Sequence, residues 1–120
     1  MIRRESEMTR KHYEHMRDGK LSVDARVFLE ASESYGTGSF FGHATMPPGA
    51  SIGYHRHDGE FEIYYIISGK AKVVDNGQEA ILGPGDMMQC KDGDSHSIEN
   101  IGDKPLEFLA MVLCRPRTAE

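Results

Sequence analysis

From residue 21 onward the chain is a series of short apolar runs cut apart by turn residues, and this punctuation most constrains what it can become. The runs "VDARVFLE", "GSFFGHATM", "ASIGYHRH", "FEIYYIIS", "KAKVVD", "QEAIL", "DMMQC", "HSIEN" and "LEFLAMVLC" are each five to nine residues long. Between them stand "PPGA", "HDGE", "DNG", "GPGD", "KDGDS" and "IGDKP", each with Gly or Pro where a turn requires it. Runs this short are too brief for core helices, and their spacing is that of an all-β sandwich or barrel. "VVDNGQEAIL" predicts a hairpin, because Asn76 and Gly77 tolerate the positive φ angles of a type I′ turn. The fold class read from this pattern is antiparallel β.

With 120 residues the chain supports one core and has no room for a second domain. We divide it into an N-terminal arm or short helix, residues 1–20, and a β domain, residues 21–120. The first 20 residues carry six Lys or Arg against four Asp or Glu, net +2, so the remainder holds -7 of the overall -5. An acidic body argues against nucleic acid or an anionic membrane as partner. The opening "MIRRESEMTR" lacks the apolar core of a secretion signal, and no run is long enough to span a bilayer, so a cytoplasmic location is expected. Cys90 and Cys114 form no CxxC pair and are expected to act as small apolar residues in a reducing compartment.

The chemistry concentrates in "GYHRHDGEFEIYYIISGK". Side chains alternate across a strand, so His55 and His57 share one face while Tyr54 and Arg56 take the other. After the turn at Asp58 and Gly59, Glu62, Tyr64 and Ile66 share a face, and Glu62 can return beside the histidines. His96 opens "HSIEN" after a glycine turn. Three neutral imidazoles and a carboxylate are a ligand set for a divalent transition metal. Glu62 is favoured over Glu60, which sits nearer the loop.

These residues resemble the motifs of the cupin superfamily. His55, His57, Glu62 and Gly69 match the first motif, with four residues between His57 and Glu62 and six between Glu62 and Gly69. Gly85, Gly93, His96 and Asn100 match the second, with Lys91 in place of its proline. The resemblance covers Ala44 to Val112. It implies an antiparallel jelly-roll β-barrel holding one metal ion, Mn, Fe, Ni, Co or Zn, at its mouth.

Such an ion suits a small oxygen-rich chelating ligand. The leading expectation is an enzyme that isomerises, epimerises or cleaves a sugar, sugar acid or keto-acid, with Glu62, Tyr64 or His43 moving the proton. The alternatives are an Fe(II) dioxygenase and a non-catalytic metal-containing sensor. Asn100 is expected to end a strand, and Arg56, of the wrong parity, to point away from the metal. Phe41, Tyr64, Met88 and Met111 are expected as pocket walls. A homodimer is expected, formed through an edge strand or an exchanged arm.

Overall fold

The structure is a computed structural model and describes residues 1–116; the last four residues of the expected β domain, 117–120, lie outside it. Ten strands follow one another with no α-helix among the described residues: β1 Thr9–Glu14, β2 Ser22–Val27, β3 Gly38–Met46, β4 Ser51–Arg56, β5 Glu60–Ser68, β6 Ala71–Asp75, β7 Gln78–Leu82, β8 Met87–Cys90, β9 Ser95–Asn100 and β10 Leu106–Cys114. Each of the nine apolar runs is a strand, β2 to β10. The β6–β7 hairpin turns at Asn76 and Gly77, both at positive φ, as its sequence predicts.

The strands form two sheets, ordered β1-β2-β3-β10-β5-β8 and β4-β9-β6-β7, and every pairing is antiparallel. Period-two patterning decides which face each side chain takes. In β5, Glu62, Tyr64 and Ile66 are buried, whereas Tyr65 and Ile67 are exposed. In β10 the buried set is Leu106, Phe108, Ala110 and Val112. Leu106, Phe108 and Ala110 meet Val73 and Ile98 of the second sheet, so the core lies between the layers. No helix among the described residues is long and apolar enough to cross a membrane.

One irregularity places the site. In β4, Ile52 pairs with Ile98 and His55 with His96, so three steps on β4 match two on β9. The extra residue at Gly53–Tyr54 is a β-bulge, which shifts the phase of the strand. Ile52 and His55, of opposite parity in sequence, therefore both face the interior.

The first 20 residues, expected as an arm or short helix, contain an edge strand between two short 3-10 turns. β1 pairs with β2 in continuous register from Thr9↔Val27 to Glu14↔Ser22, flanked by three-residue 3-10 turns. Its mostly exposed, charged side chains are those of an edge strand that blunts further sheet pairing. The segment is tied down by Arg3, whose two terminal nitrogens each lie 2.9 Å from the Glu33 carboxylate, and by donation from Arg3 to the Phe28 carbonyl at 2.6 Å.

Candidate metal centre

His55 and His96 come from the four-stranded sheet, where they are direct cross-strand partners. Glu62 comes from β5 of the other sheet, and His57 from the turn between β4 and β5. All but His55 are buried, and one donor atom of each side chain lies within 4.8 Å of the others.

The donor atoms are selected by what their rings do elsewhere. His55 Nδ1 donates to the Gly53 carbonyl at 2.7 Å, and His57 Nδ1 donates to Glu60 Oε1 at 2.9 Å. Each bond fixes the proton on Nδ1 and turns the Nε2 lone pair inward. The His96 ring is held by stacking on Tyr64, with centroids 4.9 Å apart and planes 14° from parallel, while its buried Nδ1 has no partner. Glu60 is thus the orienting carboxylate and Glu62 the convergent one.

The three Nε2 atoms are 3.0–3.2 Å apart. Glu62 Oε1 lies 3.1 Å from His57 Nε2, 3.0 Å from His96 Nε2 and 4.0 Å from His55 Nε2. Lone pairs packed this closely repel unless a cation sits among them. An octahedral ion with bonds of about 2.1 Å spaces adjacent donors about 3.0 Å apart and opposite donors about 4.2 Å. A tetrahedral ion would make all six separations equal, near roughly 3.4 Å. The observed separations, 3.0–4.0 Å, lie within the range that donors around one ion would span. The residues present therefore fit a divalent transition metal, which His55, His57, Glu62 and His96 would hold.

Electrostatics agree. Burial opposes ionisation of Glu62, yet contact with His57 and His96 outweighs it and holds the carboxyl at about 2. Glu62, followed by other contributions including Glu60, raises His57; burial lowers His55. Burial and the neighbouring Glu62 carboxylate push the Tyr64 hydroxyl well above its ordinary value, a shift that the charge of Arg17 opposes. Burial pushes the Cys90 thiol up to about 12, which leaves it an unreactive core group.

A cavity of about 180 Å³ borders the cluster. Its apolar wall includes Phe40, Ala44, Ile52, Phe108, Ala110 and Val112, and its polar wall Tyr13, Arg17, Glu60 and Tyr64. Tyr64 is the one residue of the expected wall that lines it. Register puts Phe41 opposite Met111 and Phe40 opposite Val112, so the even-numbered residues face inward; Met88 is in the core. His43 is likewise not brought to the site. It lies on the outer face of β3, where Arg26 donates to its Nδ1 at 2.9 Å and Glu107 stands 3.3 Å from its Nε2. Asn100 ends β9 and ties loops together, donating to the Met46 and Lys104 carbonyls. Arg56 pairs with Asp58 on the surface.

Sequence reasoning missed Tyr13, Met16 and Arg17, which reach the cavity from the N-terminal segment. His15, Arg17 and Asp18 have φ of 50°, 55° and 61°. Left-handed backbone costs roughly 1 kcal/mol or more per non-glycine residue, so the surrounding contacts impose this turn. It docks on β4 through two glycines. A Cβ at Gly53 would lie 1.9 Å from the Arg17 carbonyl oxygen, and one at Gly19 would lie 2.1 Å from that of Ser51. No motif marks these residues.

Fold and site together define a jelly-roll protein with an interior cluster of three histidines and one glutamate suited to a metal. The chain belongs to the cupin family, whose cupin domain description matches residues 42–112. It is 41% identical over 113 residues to an oxalate-binding protein of Thermotoga maritima, covering 94% of this chain and 93% of that protein. It is 34% identical over 87 residues to the tetracenomycin polyketide synthase protein TcmJ of Streptomyces glaucescens, covering 72% and 58%. Among solved structures, a predicted oxalate decarboxylase from Thermotoga maritima superimposes with a TM-score of 0.91 at 40% identity, covering 96% of this chain and all of that one.

Proposed function

We propose that this cupin binds a small chelating carboxylate, oxalate foremost, at a divalent metal held by His55, His57, Glu62 and His96. The observation that carries this reading is the convergence of three imidazole Nε2 atoms and one carboxylate at the wall of a small cavity, where a bound ion would meet a ligand. A bound divalent ion supplies Lewis acidity toward those oxygens. The chain's own residues supply the rest. Glu60 and Gly53 hold the imidazoles in register, Tyr64 stacks on His96, and Phe40, Phe108 and Val112 keep water from one wall. The cavity, about 180 Å³, is smaller than the roughly 300–1,000 Å³ of sites for drug-sized ligands, which favours a ligand of few atoms. The high identity and coverage of the oxalate-binding relative point the same way.

Titration calorimetry of metal-loaded protein with oxalate, glyoxylate, pyruvate, malonate and a panel of sugar acids tests it. One-to-one oxalate binding that disappears on chelation is the expected result; no heat with any carboxylate would sink the reading.

Catalysis is the second reading. Of the three expected proton carriers, His43 is on the outer face and Glu62 is a donor of the cluster, so Tyr64 remains. Proton transfer to a bound keto-acid or sugar acid, isomerisation or cleavage would pass through its hydroxyl. Product analysis with and without oxygen separates this from a dioxygenase and from binding alone. We further propose a homodimer; Tyr65, Ile67 and Met87 are exposed together on one sheet face, and light scattering gives the mass.

A further inference from the structure

We infer that Arg17 is the anion-recognising residue of the cavity, the group that makes it prefer a carboxylate chelator to an uncharged one. The inference deepens the proposed function and rests on it.

Two carboxylates, Glu60 and Glu62, line the cavity. Their charge already matches that of a divalent ion, so the metal cluster by itself offers an anion little net attraction. Arg17 is the one Lys or Arg that lines this cavity. Among the described residues it has no hydrogen-bond or ion-pair partner. Arg3, Arg10, Arg26, Arg56 and Arg115 each have an acidic one. Arg17 is exposed, so its guanidinium stands at the mouth of the cavity and is free to donate to a carboxylate there, whose two oxygens its planar fork matches.

The backbone holds it there. The left-handed turn at His15, Arg17 and Asp18 connects β1 to β2 and is seated on β4. His15 N–H donates to the Leu21 carbonyl at 2.8 Å, and Ser51 N–H donates to the Lys20 carbonyl at 2.9 Å. Gly53 and Gly19 permit the close approach. Gly53, which lies in the β4 bulge beside His55, thus also seats the residue that would greet the ligand.

The test compares metal-loaded unaltered protein with Arg17→Gln and Arg17→Lys, using oxalate and oxamide, its uncharged diamide analogue. Metal-to-chain ratio and melting temperature report that each variant is folded and loaded. In Arg17→Gln, oxalate affinity falls by about tenfold or more while oxamide affinity stays within about threefold; Arg17→Lys recovers part of the loss. Added salt weakens oxalate binding to the unaltered protein more than to Arg17→Gln. Equal losses for both ligands, or no loss for either, would overturn the inference while leaving the proposed function standing. Unaltered, metal-loaded protein that binds oxamide but no carboxylate would overturn both.

Discussion

His55 and His96, 41 positions apart in the chain, face each other across β4 and β9 with their Nε2 atoms 3.1 Å apart. The pairing depends on a bulge at Gly53–Tyr54, so the position of His55 among the four donors is set by the backbone of β4.

His57 touches every other donor of the cluster. His57→Ala is expected to abolish stoichiometric metal, read by elemental analysis of purified protein. Chelation of the unaltered protein should lower its melting temperature, since a ligand at about a thousand times its Kd stabilises by about 4 kcal/mol. The same chelator should leave His57→Ala unchanged.

Glu60 orients His57 without joining the cluster. Glu60→Gln keeps the size of the side chain and its carbonyl acceptor but removes the charge. Metal affinity is expected to fall by about tenfold to a hundredfold, as for other residues that orient a ligand. Competition with a chromogenic chelator measures it, and an unchanged affinity would refute the assignment.

Gly53→Ala puts a methyl group 1.9 Å from the Arg17 carbonyl oxygen. Neither backbone can yield without moving the bulge or the turn. A loss of roughly 1–3 kcal/mol is expected in urea unfolding, with weaker metal binding through displaced His55. Gly77→Ala is the comparison for backbone strain, because open space surrounds that position.

His43 lies outside the cavity, between Arg26 and Glu107. His43→Ala is expected to retain full metal content and carboxylate affinity, with a stability loss of about 1 kcal/mol or less. Loss of ligand binding in this variant would restore it to the site.

The Arg3 guanidinium, followed by the Glu30 backbone, holds the Glu33 carboxyl at about 2, below its ordinary 4.5. A depressed carboxyl contributes stability that is complete above about 4.5 and vanishes as pH falls through about 2. The difference in urea midpoint between unaltered protein and Glu33→Gln should therefore be largest above pH 5 and close toward pH 2. A difference that is constant over this range would show that the pair does not tie the N-terminal segment.

Much of this was legible locally. Alternation set the inward face of Glu62, Tyr64 and Ile66 in β5, and Asn76–Gly77 set a hairpin, because both depend on neighbours in the chain. Alternation failed for Phe41 against Phe40, since "SFFGHATM" is apolar enough on both faces that the pairing with β10 decides the phase. His43 was misplaced for the same reason. The N-terminal segment was harder still: Tyr13, Met16 and Arg17 are scattered apolar and charged residues until β1 pairs with β2 and the following turn seats on β4.

The sequence by itself determined the class of fold, the four donor residues and their likeness to a known family, because turn chemistry, strand period and ligand type are carried by short stretches. Only the tertiary structure decided that the four donors converge within 4.8 Å of one another, that Glu60 serves His57, and that the cavity takes its cation from the N-terminal turn. Those facts depend on contacts between residues far apart in the chain, through a bulge and two glycine approaches that no local pattern announces.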